Sequence, residues 1–230
     1  MVMTRPPPDA AITWVFLVVG LLTVGCDSSG GNLTYSGTTR VIEVPHGGTP
    51  VMTDGVFSPG EWDDAARIEV NDSLSLYLKQ NQGHAFVGVR SPDLVVPVFS
   101  LFISPAEGRV HQLHISAQIG ERALDTSSAD AEDPDFVWGY SPQWYANEIR
   151  WDERRLREIV ESGAKSRDDA FPDVIFPYDG AEFQIKQSKY NAGEWRLRLE
   201  VAWHSAYDDP LVFPPGTARK DTDGWMTLVF

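Results

Sequence analysis

Thiols are nearly absent from this chain: Cys26 is the single cysteine in 230 residues. No intrachain disulfide can form, so burial and hydrogen bonding must hold the fold. Cations are scarce as well. Lys and Arg total 19 against 33 Asp and Glu, a formal charge of −14. Nothing here could neutralise a run of phosphates, so no nucleic acid is expected as partner, and anionic lipid headgroups would repel the body. Long apolar runs are missing too. The stretch from Ala10 to Leu22 falls short of the roughly 20 residues a membrane-spanning helix needs. There is no Gly-x-Ser-x-Gly elbow, phosphate loop or dinucleotide fingerprint. Glu182 and Glu194 lie near strand ends, but nothing selects them as a working pair in so acidic a chain. The chain is therefore read as not an enzyme.

What is present begins at the N-terminus. Arg5 and Pro6 to Pro8 precede the apolar stretch, which runs on into Leu22-Thr23-Val24-Gly25-Cys26. This resembles a bacterial lipoprotein signal, in which small residues precede a Cys that is lipidated and becomes the new N-terminus. Thr23 departs from the Leu most often found in such boxes. A plain secretory signal with an incidental Cys is the alternative. Both imply export. Lipidation of Cys26 further implies a soluble body tethered by lipid to a membrane of the bacterial cell envelope, on its periplasmic or cell-surface side. The expected organisation is a signal peptide at 1–25, a flexible tether of small polar residues at 26–38, and one domain at 39–230, long enough to bury its own core.

In that domain the period is mostly two. Leu74, Leu76 and Leu78 alternate with Ser73, Ser75, Tyr77 and Lys79. After a turn at 80–83, Ala85, Val87 and Val89 alternate with His84, Phe86, Gly88 and Arg90, which predicts a hairpin. Val98 to Ile103 is apolar on both faces and suits a central strand. Leu113, Ile115, Ala117 and Ile119 alternate with polar residues as one strand. Trp195, Leu197, Leu199, Val201 and Trp203 form the clearest case, with Phe183-Gln184-Ile185 as hairpin partner through Asn191-Ala192-Gly193. Trp225 to Phe230 closes the chain as a last strand. One helix is expected, capped by Asp152, stopped by Gly163, and apolar at Leu156, Ile159 and Val160. Short strands, Gly/Pro turns and a single helix predict a mostly all-β fold, an antiparallel, jelly-roll-like β-sandwich.

The opening Thr53-Asp54-Gly55-Val56-Phe57-Ser58-Pro59-Gly60-Glu61-Trp62-Asp63-Asp64-Ala65 precedes a strand hairpin. The ending carries Gly193-Glu194-Trp195-Arg196-Leu197-Arg198-Leu199, then Phe213-Pro214-Pro215-Gly216 and Asp223-Gly224-Trp225. This order resembles the family 9 carbohydrate-binding modules and the wider DOMON-like sandwiches. Asp54, Gly55, Glu61, Trp62 and Ala65 are the residues that match as a tight motif. Physically they suit an architectural role: Gly55 can take a turn conformation and Trp62 can plug one end of a sandwich. The resemblance implies a saccharide as partner.

The segment from Asp135 to Tyr145 carries five aromatics without strand or helix period. Sugars present flat C–H faces ringed by hydroxyls, so a saccharide site wants exposed rings beside polar groups. Trp138, Tyr140, Gln143, Trp144 and Tyr145 are the candidate ligand-binding residues, with Asn147 nearby; packing of the loop onto the sheet is the other reading of the same rings. Upstream, Asp130, Glu132, Asp133 and Asp135 crowd one loop. Several resembled modules hold structural calcium, so these four are candidate metal ligands, although their spacing is not that of an EF-hand. No cofactor is otherwise expected. His111 and His114, three apart on a strand, should point to opposite faces and not form a metal pair. Two further functions stay open. Some related sandwiches bind haem through Met with His or Lys, for which Met226 is the better candidate and Met52 the other. A structural or assembly lipoprotein of the envelope is the third.

Overall fold

The computed structural model describes residues 32–34, 41–91, 98–106, 108–191, 193–202 and 209–230. Cys26, the expected signal peptide, most of the expected tether and Trp203 lie outside the described residues. The strands are β1 (Asn32–Thr34), β2 (Val41–Glu43), β3 (Ala66–Asn71), β4 (Leu74–Asn81), β5 (His84–Arg90), β6 (Val98–Pro105), β7 (His111–Ile115), β8 (Ile119–Ala123), β9 (Val137–Trp138), β10 (Trp144–Ala146), β11 (Gly180–Lys186), β12 (Glu194–Ala202), β13 (Leu211–Phe213) and β14 (Met226–Val229). The helices are α1 (Glu153–Glu161) and α2 (Arg167–Ala170).

Two sheets face each other as a β-sandwich. The six-stranded sheet runs β1-β3-β4-β5-β11-β10; the eight-stranded one runs β2-β14-β12-β6-β7-β8-β9, with β13 also on β12. All neighbours are antiparallel except the edge pairs β1–β3 and β14–β2, which are parallel. The pair β1–β3 puts Asn32–Thr34, inside the stretch read as a tether, beside Arg67–Glu69. The alternating apolar residues do what their period requires. Leu76, Val87, Val89, Phe183 and Ile185 from one sheet meet Phe99, Leu101, Ile103, Leu197, Leu199 and Val201 from the other, all fully buried. Each such side chain contributes roughly 1.5–3 kcal/mol of burial. The apolar run at 98–103 is central, flanked by β12 and β7. Gln82 and Gly83, both at positive φ (48° and 76°), close the β4–β5 hairpin, as a two-residue turn of the twist-matching kind requires.

Two strand assignments differ from expectation. Residues 111–123 form a hairpin, β7–β8, turning at 116–118, and not one strand. Ser116 makes the difference: its backbone N–H donates to the Gln118 carbonyl and its hydroxyl accepts from the Gln118 amide. Nor is β11 the hairpin partner of β12. It pairs with β5 and β10 in the other sheet, and the chain crosses between sheets through a short 3-10 turn, Gln187–Lys189, and Asn191 at φ 58°. Both pairings leave the same residues facing inward, so alternation could not separate them.

The helix forms as its caps dictate. The Asp152 carboxylate accepts from the Arg155 N–H at 3.0 Å, and Gly163 takes φ 72° just beyond the end. Leu156 is buried, whereas Val160 is exposed. A second short helix, α2, follows, and Leu156, Ala170 and Val174 make a small cluster with Trp151, Ile159 and Phe171.

The face of β4 opposite its leucines is covered as well. Ser75, Tyr77 and Lys79 are all buried, because residues 45–65 fold back over this sheet. The Lys79 ammonium, with no exposed surface, donates to the Thr49 carbonyl (2.8 Å), the Glu61 carbonyl (2.5 Å) and Asp64 Oδ1 (2.7 Å). It also lies 5.5 Å from the Trp62 ring centre. Three acceptors around one ammonium fasten the whole covering loop to β4. Lys79→Met keeps the apolar stem but leaves those acceptors without a donor. We expect it to lower the free energy of unfolding by about 3 kcal/mol, read from urea denaturation against wild type.

Candidate functional site

The motif that opens the domain converges on one carboxylate. Glu182, fully buried on β11 opposite Gly88 of β5, accepts three hydrogen bonds. The amides of Asp54 (3.0 Å) and Gly55 (2.9 Å) donate to Oε2, and the Trp62 indole donates to Oε1 (3.0 Å). Gly55 is required here. It holds φ 84°, and a Cβ would fall 2.5 Å from Asn147 Nδ2. Asn147 in turn accepts from the Glu182 amide (2.7 Å) and donates to the Gly180 carbonyl (3.2 Å). Glu61 is buried and accepts from the Met52 and Ser58 amides. Trp62 and Ala65 then pack with Tyr77, Phe86 and Phe57. Asp54, Gly55, Glu61, Trp62 and Ala65 are thus brought together, and all serve the turn and the plug over the six-stranded sheet. Burial pushes the Glu182 carboxyl up to about 7, with the nearby Glu61 charge adding to the shift and the three donors opposing it.

The aromatic segment crosses the sandwich edge from one sheet to the other and separates its rings. Trp138, at the end of β9, pairs with Gly120 of β8. The missing Gly120 side chain lets the indole lie on the backbone, since a Cβ there would be 2.6 Å from the ring. Phe136 (4.9 Å) and His114 (5.5 Å) pack beside it, and 52% of Trp138 remains exposed. Burial, then the Arg122 charge, holds His114 below its ordinary pKa. Trp144 goes the other way. It is buried in the inter-sheet core and its indole N–H donates to Glu121. The period-two geometry of β10 explains this, because Tyr145 must then face outward.

Tyr145 and Tyr140 meet on that outer face. Their rings are stacked, 6.0 Å apart and 18° from parallel, with 39% and 68% of their surface exposed. The Tyr140 hydroxyl donates to Glu148 Oε2 (3.1 Å), and that hydrogen bond raises the Tyr140 pKa. Beside Tyr145 runs a shallow groove of about 170 Å3 lined by His84, Ser141, Pro142, Gln143, Gln184 and Lys186, with Trp144 beneath. Of the candidate ligand-binding residues, Tyr140, Gln143 and Tyr145 come together, Trp138 stands on the outer face of the other sheet, and Trp144 is inside. The sequence pattern missed His84, Glu148, Gln184 and Lys186. The first and the last two lie on neighbouring strands in register (His84 with Lys186, Gln184 with Tyr145), a relation only pairing reveals.

The structure does not gather Asp130, Glu132, Asp133 and Asp135 into one cluster. Asp133 pairs with Lys220 (3.0 Å) and Arg122 (3.8 Å), whereas Asp130 and Asp135 are exposed, as is Glu132. Among the described residues, no group of three or more His, Cys, Asp or Glu side chains is placed to hold a metal ion. Arg122 and Lys220 are remote in sequence, so the neutralising cations were invisible in the loop itself. His111 and His114 part as expected: the His111 ring is tilted against Tyr190 (4.8 Å) and the His114 ring against Phe136 (5.3 Å). Met226 is fully buried in the inter-sheet core, and Met52 is largely exposed.

No family model and no curated protein matches the chain. Two solved structures are similar to it. One is a family 9 carbohydrate-binding module from Caldicellulosiruptor kristjanssonii in complex with cellotriose. It is 12% identical, with 83% of this chain and 93% of that one covered, at a TM-score of 0.46. The other is a Bacteroides uniformis protein assigned as carbohydrate-binding. It is 11% identical, with 88% and 100% covered, at a TM-score of 0.36.

The raised Glu182 carboxyl has a pH consequence. Its folded pKa, about 7, lies above the ordinary 4.5, so between these values the folded chain binds more protons. Its contribution is fully present below pH 4.5 and is lost as pH rises toward 7, about 3 kcal/mol over the interval at roughly 1.4 kcal/mol per unit. Glu182→Gln removes the titration. The stability of wild type minus that of Glu182→Gln should therefore fall between pH 5 and 7.5, as urea melts at the two pH values would read.

Proposed function

We propose that this chain is a non-catalytic binding protein of the bacterial cell envelope, that its ligand is a saccharide, and that Tyr140 and Tyr145 form the platform. One observation carries the reading: two tyrosine rings, near parallel and exposed, stand beside a groove lined by amides, a hydroxyl and an ammonium. A pyranose needs this combination, an aromatic face for its C–H surface and donors and acceptors for its rim. Glu148 fixes the Tyr140 hydroxyl, so the outer ring is preorganised and loses less freedom on binding. The apolar stretch before Cys26 supports export and lipidation at that residue. The lipid would hold the body at the membrane, since its net charge of −14 gives anionic lipid no reason to do so.

The test uses the full-length protein and a panel of soluble neutral oligosaccharides, with affinities read by isothermal titration. At least one saccharide should bind, and Tyr145→Ala should weaken it about ten-fold or more. Trp138→Ala, on the other outer face, should leave the affinity unchanged. Failure of every saccharide to bind, or wild-type affinity in Tyr145→Ala, would overturn this reading.

A further inference from the structure

A second cleft, of about 470 Å3, opens over β3, β4 and β5 and shares no lining residue with the tyrosine groove. Phe57, Trp62, Arg67, Tyr77 and Arg90 line it, together with Asp63. Strand register builds it. Tyr77 of β4 has Arg67 beside it on β3 and Gly88 beside it on β5, while Arg90 is opposite Ser75. The two arginines therefore flank β4 from opposite sides, their Cα atoms roughly 12 Å apart by two strand spacings and a two-residue offset. Gly88 makes room for the floor: a Cβ there would be 2.9 Å from the Trp62 ring and 3.0 Å from Phe57. Phe57 stacks on Trp62 (5.5 Å) and tilts against Tyr77 (5.4 Å).

Each guanidinium is poised on a ring, Arg67 at 5.7 Å from the Tyr77 centroid and Arg90 at 6.0 Å from that of Phe57. Arg67 also pairs with Glu69 (2.6 Å). Arg90 makes no ion pair with any described residue. In a chain with 33 acids and 19 bases, the cleft sets two cations on its aromatic lining; Glu69 pairs with Arg67, and Arg90 is the cation left for a ligand, with Asp63 across the cleft. Guanidinium presents a planar fork that matches a carboxylate, and the volume is that of a small-molecule site.

We propose that this cleft is a second ligand site, and that it takes a hexuronate, a sugar ring bearing a carboxylate. The carboxylate lies between Arg90 and Arg67, the C–H face lies against the half-buried Phe57, and Asp63 accepts from a ring hydroxyl. The site is independent of the tyrosine platform and stands if that reading fails. Titration of the full-length protein with glucuronate and with glucose tests it. Glucuronate should bind at least about ten-fold more tightly than glucose, and more weakly as salt is raised. Arg90→Gln and Arg67→Gln should each cost about ten-fold or more for glucuronate, one charge-assisted hydrogen bond's worth, at an unchanged melting temperature. Tyr145→Ala should leave glucuronate binding as in wild type. No glucuronate binding, equal affinity for glucose, or wild-type affinity in both arginine variants would overturn the proposal.

Discussion

The Glu182 carboxylate is the constraint on which both candidate surfaces depend. It is a charge-bearing group with no exposed surface, in the middle of a sheet, and such a group must be satisfied by hydrogen bonds or protonated. Here three donors from residues more than 100 positions earlier in the chain supply the bonds. The chain segment they belong to is thereby pinned across the outer face of β5 and β11. Trp62 is set over Gly88 by the same contact, and with it the floor of the arginine cleft. Asn147, next to β10, clasps the strand that carries Glu182, so the approach to the tyrosine pair is fixed from the same place.

Lys79 acts in parallel on the neighbouring strand. Its three acceptors are two carbonyls and one carboxylate of the covering loop, which explains how a lysine tolerates complete burial. Together, the ammonium of β4 and the carboxylate of β11 turn what would be a solvent-facing sheet surface into a second, smaller core of Trp62, Ala65, Tyr77 and Phe86. The polar groups here specify where the loop lies, and the aromatic burial supplies its adhesion.

The eight-stranded sheet treats its outer face differently. Glu200 is held by Arg198 and Arg219, and Gln112 links Arg122 to Ser100. Burial raises the Glu200 carboxyl and the two guanidiniums more than offset it, leaving its pKa lowered. Of the loop's four carboxylates only Asp133 joins this lattice of ion pairs, bridging Arg122 and Lys220.

Periodicity in the sequence determined much of this molecule. The leucines of β4, the double-faced apolar run of β6 and the alternation of β12 each have one way to bury themselves, so strands and a sandwich follow. Asp152 and Gly163 fixed α1 because capping is local. The clustered aromatics at 136–145 were a matter of composition, which places no ring. Tertiary structure decided which sheet each strand joined, since β11 buries the same side chains beside β5 as it would beside β12. It decided that Trp144 turns inward while Tyr145 turns out, and that Trp138 leaves for the opposite face. It decided, too, that Glu182 meets Asp54, Gly55 and Trp62, and that Arg67 and Arg90 share a cleft. Those contacts join residues far apart in the chain, and alternation along a strand carries no information about what lies across from it.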